Sequence, residues 1–144
     1  MNLISRSIQY TLAADTGNTD SVVVGLYGKS DNLEINATLT IVEGDLDEET
    51  TFDDLSKKQL FALATKKLPK LLPTLAYSNY QFFVQNDTPV RLTAYSDLSN
   101  NGSYISLSST LDQSDFTDKA IESVGYEDVK SAVKTILSQE FPTS

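Results

Sequence analysis

The sequence predicts an α+β fold: two tandem βββα units forming a largely antiparallel six-stranded sheet, with two main helices packed on one face. Three observations lead there. Several segments alternate apolar and polar residues with period two, two segments with helical apolar spacing each follow three such strands, and the front of the chain corresponds to the back.

In the first half Ile8, Tyr10 and Leu12 alternate with Ser7, Gln9 and Thr11, and Leu33, Ile35, Ala37, Leu39 and Ile41 alternate with Glu34, Asn36, Thr38 and Thr40. Successive side chains leave a strand on opposite faces, so this alternation marks half-buried strands. Between them the run from Ser21 to Tyr27 is apolar and β-branched, as expected for a strand lying centrally or covered on both faces. Asp15-Thr16-Gly17-Asn18 and Lys29-Ser30-Asp31-Asn32 are rich in turn formers and link the three strands into a meander.

A helix is expected next. Thr51 with Asp54 three residues on has the form of a capping box, and Phe52, Leu55, Leu60, Leu63, Leu68, Leu71 and Leu72 recur at mostly helical spacing. Proline lacks the amide that a helix interior needs, so Pro69 should end or kink this helix near Leu68. Asp53 with Lys57 and Asp54 with Lys58 form i,i+4 pairs in the favourable order.

The second half repeats this order. Tyr80, Phe82 and Val84 mark one strand, Val90, Leu92 and Ala94 the next, and Ile105, Leu107 and Leu111 a third, with Asn100-Asn101-Gly102-Ser103 as a hairpin signal. Tyr126, Val129, Val133, Ile136, Leu137 and Phe141 share one side of a closing helix. Ser114 to Ser123, carrying Phe116 and Ile121, is expected to add a short helix.

Laid over each other at one offset, Ile8–Thr16 and Tyr80–Thr88 keep Gln, Asp and Thr and the same apolar phase, and Leu33, Ile35, Thr38 and Leu39 fall on Ile105, Leu107, Thr110 and Leu111. The reading is one domain over residues 1–144, with repeated halves 1–75 and 76–144 sharing a core, because a three-stranded sheet with one helix is marginal alone.

Composition removes much familiar chemistry. The chain has 144 residues, no Cys, no His and no Trp, a formal charge of −9, and 40% hydrophobic residues. Without Cys there are no disulfides or thiolate nucleophiles, and without His the commonest proton shuttle and metal ligand are missing. No Ser-x-x-Lys, no G-x-S-x-G elbow and no glycine-rich phosphate loop stands in the sequence. No catalytic residue, cofactor or metal ligand is assigned, and no enzyme activity is expected.

Two acidic groups remain. Glu43, Asp45, Asp47, Glu48 and Glu49 open a stretch with seven carboxylates in twelve residues, and Asp112, Asp115 and Asp118 occupy the equivalent loop of the second half. Clustered carboxylates suit hard cations, but the spacing does not match a calcium loop. These residues are read as an acidic interaction surface, or as a wetted surface that also favours helix amino ends. Lys57, Lys58, Lys66, Lys67 and Lys70 put five of the eleven basic residues on the first helix, yet an acidic chain repels polyanions and nucleic acid is disfavoured as a partner. Tyr80, Phe82 and Phe83 could form a stacking platform, but Tyr80 and Phe82 share parity with the core face and only Phe83 falls on the other side, so the core is the expected place for this group.

The expected function is a non-enzymatic protein-binding or assembly module, a small accessory or structural protein of a bacterium or bacterial virus, which self-associates or pairs through sheet edges. Its partners would be proteins, including further copies of itself. Alternatives are an acidic inhibitor that mimics nucleic acid, and a small-molecule binder at the groove between the halves. With no apolar run approaching a membrane span and no basic flank before a long apolar stretch, no membrane contact is expected and the cytoplasm is the expected location.

Overall fold

A computed structural model of the chain describes residues 1–142. It contains the strands β1 (Leu3–Leu12), β2 (Thr19–Lys29), β3 (Leu33–Ile41), β4 (Ala76–Gln85), β5 (Thr88–Asn100) and β6 (Ser103–Asp112), with helices α1 (Lys57–Leu71) and α2 (Tyr126–Glu140). The strands form one sheet in the order β1-β2-β3-β6-β5-β4, and every pairing is antiparallel. The α+β class, the six-stranded antiparallel sheet and the two helices agree with the expectation.

One face of the sheet is buried. Val22, Val24 and Leu26 of β2, Leu33 to Ile41 at alternate positions of β3, Leu92 and Ala94 of β5, and Ile105, Leu107 and Leu111 of β6 join a single apolar cluster with both helices. The period of two decides this, since the register pairs inward residues with inward ones: Val24 with Leu39, Ile35 with Leu107, Leu92 with Leu111. Helix α1 contributes Leu60, Ala64 and Leu68, and α2 contributes Val129, Ala132, Val133, Ile136 and Leu137, each a stripe at helical spacing.

Turn chemistry closes the hairpins. Asn101 and Gly102 both adopt positive φ, 49° and 82°, between β5 and β6, and Asn86 and Asp87 do so between β4 and β5. Both positive angles match the right-handed strand twist, which is why Asn, Asp and Gly stand there.

Several local expectations need correction. Thr51 and Asp54 do pair, with Thr51 Oγ1 donating to Asp54 at 2.8 Å, but they cap a short 3-10 turn at Phe52–Asp54. Helix α1 begins after Ser56, whose hydroxyl accepts from the Gln59 amide while the Gln59 side chain accepts from the Ser56 amide at 2.8 Å. Pro69 does not stop α1 at Leu68. The helix runs on to Leu71 because Leu68 and Leu72, on either side of the proline, are both buried, and their burial outweighs one lost backbone bond. Ser114 to Ser123 forms no single helix but two 3-10 turns, Gln113–Asp115 and Ile121–Ser123, that place Phe116 and Ile121 in the core.

Strand β2 lies next to the sheet edge and is covered on one face only: Val23 and Tyr27 on its outer side are half-buried. The edge strands also depart from strict alternation. In β1 Leu3 and Ile8 pack on the core, while Tyr10 and Leu12 are exposed, and in β4 Val84 is exposed. Each edge has two register shifts, between Ser5 and Ser7 and between Thr11 and Leu12 in β1, and between Tyr77 and Asn79 and between Phe83 and Val84 in β4. At the first shift the extra residue is on the edge strand, Arg6 in β1 and Ser78 in β4; at the second it is on the neighbour, Asp20 in β2 and Val90 in β5. The β4 shifts fall at a constant offset from those of β1.

Candidate functional site

The acidic residues singled out by sequence are held in two separate places. Glu43–Asp45 follows β3 as a 3-10 turn, and Gln113–Asp115 follows β6. Because β3 and β6 run antiparallel, their ends point opposite ways: Thr40 bonds Gly102 at one end of the pair, and Thr110 bonds Asn32 at the other. Nine residues of strand separate the two ends, about 25 Å or more. Glu43, Asp45, Asp47, Glu48 and Glu49 therefore do not share a surface with Asp112, Asp115 and Asp118, and a continuous negative band of the kind that imitates a phosphate backbone is not built from them.

Within each group the ordered carboxylates serve the local backbone. Asp45 accepts from the Val42 amide at 2.8 Å and from Lys67 Nζ at 2.9 Å, while Lys67 also donates to the Thr40 carbonyl. Burial raises the Asp45 carboxyl, but the Lys67 hydrogen bond, the Val42 amide and the charges of Lys67 and Lys70 outweigh it and leave the pKa below the ordinary 3.8. Asp115 accepts from the Asp112 amide at 2.9 Å, and Asp112 accepts from the Ser114 amide. Glu43, Asp47, Glu48, Glu49 and Asp118 are exposed. Among the described residues no three Asp or Glu side chains approach closely enough to hold a metal ion.

A concavity lies elsewhere. An open groove of about 730 Å³ lies between the end of α1, the start of β4 and one side of α2. Pro69, Leu72 and Pro73 form one wall, Leu75, Ala76 and Tyr77 the floor, and Tyr126, Lys130, Lys134, Leu137, Ser138 and Phe141 the other wall. The α2 residues recur at three- and four-residue steps, which brings them onto one stripe. Tyr126 is 43% exposed rather than core, but its ring is held: it stacks on Tyr80 with centroids 6.0 Å apart and meets Tyr77 edge-on at 6.3 Å. Lys130 Nζ lies 5.0 Å from the Tyr126 centroid. Burial, and then the neighbouring Tyr126, push the Tyr77 phenol above its ordinary 10.0, so it remains a hydrogen-bond donor at neutral pH.

The sequence reading offers a groove between the halves but names none of the residues that line this groove as its lining. Its signals were present, two prolines bracketing the helix end and Tyr126, Lys130 and Lys134 at four-residue spacing, but which elements face each other across a sheet is a tertiary property.

The outer face of the sheet is polar with scattered aromatics. Arg6 lies 3.9 Å from the Tyr27 ring centroid and Arg91 lies 4.3 Å from that of Phe83. Phe83 thus stands on the outer face, as its parity required, while Tyr80 and Phe82 point to the side of the helices. At the two sheet edges, β1 exposes Ile4 (54%) and Leu12 (59%), and β4 exposes Val84 (54%). No helix among the described residues is long and apolar enough to cross a membrane.

Compared with protein-family models, with curated proteins and with solved structures, the chain finds no match in any of the three.

Proposed function

We propose that this chain is a non-enzymatic, cytoplasmic protein-binding module that self-associates or pairs with a partner protein through the edges of its sheet. The observation that carries the reading is the state of β1 and β4. Both are ten-residue edge strands, neither contains Pro or Lys, and each leaves apolar side chains uncovered. An edge presents a row of unpaired amides and carbonyls, and proteins that must avoid pairing blunt it with charge or proline. Here the blunting is slight: one Arg on β1, none on β4, and the bulges. Strand addition draws its affinity from main-chain hydrogen bonds and its specificity from alternate side chains, which such an edge supplies.

A duplication of a βββα unit underlies this reading as a second proposal. It is supported by the repeated element order, by the constant offset between the bulges of the two edge strands, and by the central pair Ile35–Leu107, which the same offset carries onto itself. Under that relation the two edges are equivalent, so a module that pairs through one can pair through the other and form extended assemblies.

The test combines light scattering over a range of concentrations with affinity capture by the tagged chain. Concentration-dependent self-association, or one stoichiometric protein partner, is expected, and Val84→Lys or Leu12→Lys is expected to weaken it while leaving thermal unfolding within a few degrees of wild type. Strict monomers that capture no protein, or association indifferent to both lysines, would overturn the reading.

A further inference from the structure

We propose that the groove beside α2 receives a peptide segment that carries apolar side chains next to carboxylates. The inference rests on the protein-binding reading above but not on strand pairing.

The lining states the chemistry. Leu72, Pro73, Leu137 and Phe141 all line the groove, so it gives apolar side chains a place out of water. The charged residues of the lining are Lys130 and Lys134 alone, in a chain whose formal charge is −9. An acidic protein thus presents a groove of the opposite sign. One turn of α2 separates the two lysines, about 6 Å along the helix, so they stand as a short row above the apolar wall. Lys134 makes no ion pair among the described residues, and Lys130 reaches only the exposed Glu127, at 3.7 Å. Both ammonium groups are therefore open to a further carboxylate, and at the mouth of an apolar groove such a pair is less screened than on an open surface.

Shape favours a chain over a small molecule. The groove is open and follows α2 from Tyr126 to Ser138 and on to Phe141 just past its end, rather than closing around a compact ligand. Ala76 and Tyr77, which line it, are also the first residues of the edge strand β4. A segment leaving the groove can continue along that edge.

The test pans a random peptide display library against the wild-type chain and against K130E/K134E. Fold retention of the variant is checked by circular dichroism and thermal unfolding. Wild type is expected to enrich peptides that pair Asp or Glu with Leu, Phe or Trp. The enriched peptide should bind K130E/K134E about tenfold or more weakly by fluorescence anisotropy, and should bind wild type more weakly as salt rises. Enrichment of basic or wholly polar peptides, equal binding to the variant, or no enrichment would each sink the proposal, as would uptake of dodecanoate in place of any peptide. Light scattering of wild type and Val84→Lys, which leaves the groove lining intact, reports the edge reading separately, so the two failures are distinguishable.

Discussion

Ile35 stands directly opposite Leu107 where β3 pairs with β6, and each is about 1% exposed. On either side of this pair Leu33 faces Ser109 and Ala37 faces Ile105. Among the described residues the seam is the only strand pairing between the front three strands and the back three, so it joins them into one core.

Leu107→Ala empties the middle of that seam, and large-to-small changes at fully buried leucines cost about 2–5 kcal/mol. Urea unfolding is expected to show a loss in that range with a single transition, because both portions lose their shared interior together. Two separate transitions, or a loss under about 1 kcal/mol, would contradict a common core.

Ser109 is fully buried and its hydroxyl has no hydrogen-bond partner among the described residues. A buried polar group without a partner carries a desolvation cost, so Ser109→Ala is expected to leave stability unchanged or raise it by up to about 1 kcal/mol. A clear destabilisation in the same urea assay would show that the hydroxyl has a bound partner.

The reciprocal cap between Ser56 and Gln59 starts α1. Ser56→Ala is expected to cost about 1 kcal/mol. Thr51→Ala, which acts on the preceding 3-10 turn, is expected to leave the helical signal in circular dichroism unchanged. Helix loss on Thr51→Ala would place the start of α1 wrongly.

Gly102 combines φ of 82° with a neighbour, Thr40 Oγ1, that an added Cβ would approach to 3.1 Å. Gly102→Ala is expected to cost about 1–2 kcal/mol, since an L side chain in this region meets its own backbone. Gly44, which has open space around it and no positive φ, is the control: Gly44→Ala should be near neutral.

Acid should weaken the fold through named carboxylates. The Thr19 hydroxyl and amide hold Asp53 below the ordinary 3.8, the Gly125 amide and Lys119 do the same for Asp128, and Lys67 with the Val42 amide outweighs burial at Asp45. A carboxyl whose folded pKa lies below its unfolded value contributes stability that is present above the unfolded pKa and is lost as pH falls through the folded one. Compared with D53N, wild type is expected to lose its advantage below about pH 4. An unchanged difference between the two proteins from pH 6 to pH 3 would remove Asp53 from the account.

Much of the sheet was legible in the sequence because period two is a local property. Leu33, Ile35, Ala37, Leu39 and Ile41 alternate inward whatever lies beside them, and Asn101-Gly102 demands a tight hairpin from its own backbone. Helical spacing in α1 and α2 is local in the same way, so the class and order of elements followed from the chain alone.

The rest depended on which element meets which. Tyr10, Leu12 and Val84 have inward parity in sequence, but all three are exposed on edge strands: Leu12 and Val84 lie past a register shift, while Tyr10 shares its register with the packed Ile8 and is still left uncovered. Tyr126 belongs by spacing to the buried stripe, yet it stacks on Tyr80 at the surface. The two acidic groups look alike along the chain and are parted because β3 and β6 run antiparallel at the centre. The groove gathers Pro69, Tyr77 and Lys134 from three elements that no periodicity connects. Side-chain alternation and turn preference act over a few residues, and the sequence determined what rests on them; strand order, edges and the spaces between helices arise from long-range packing, which only the folded chain decides.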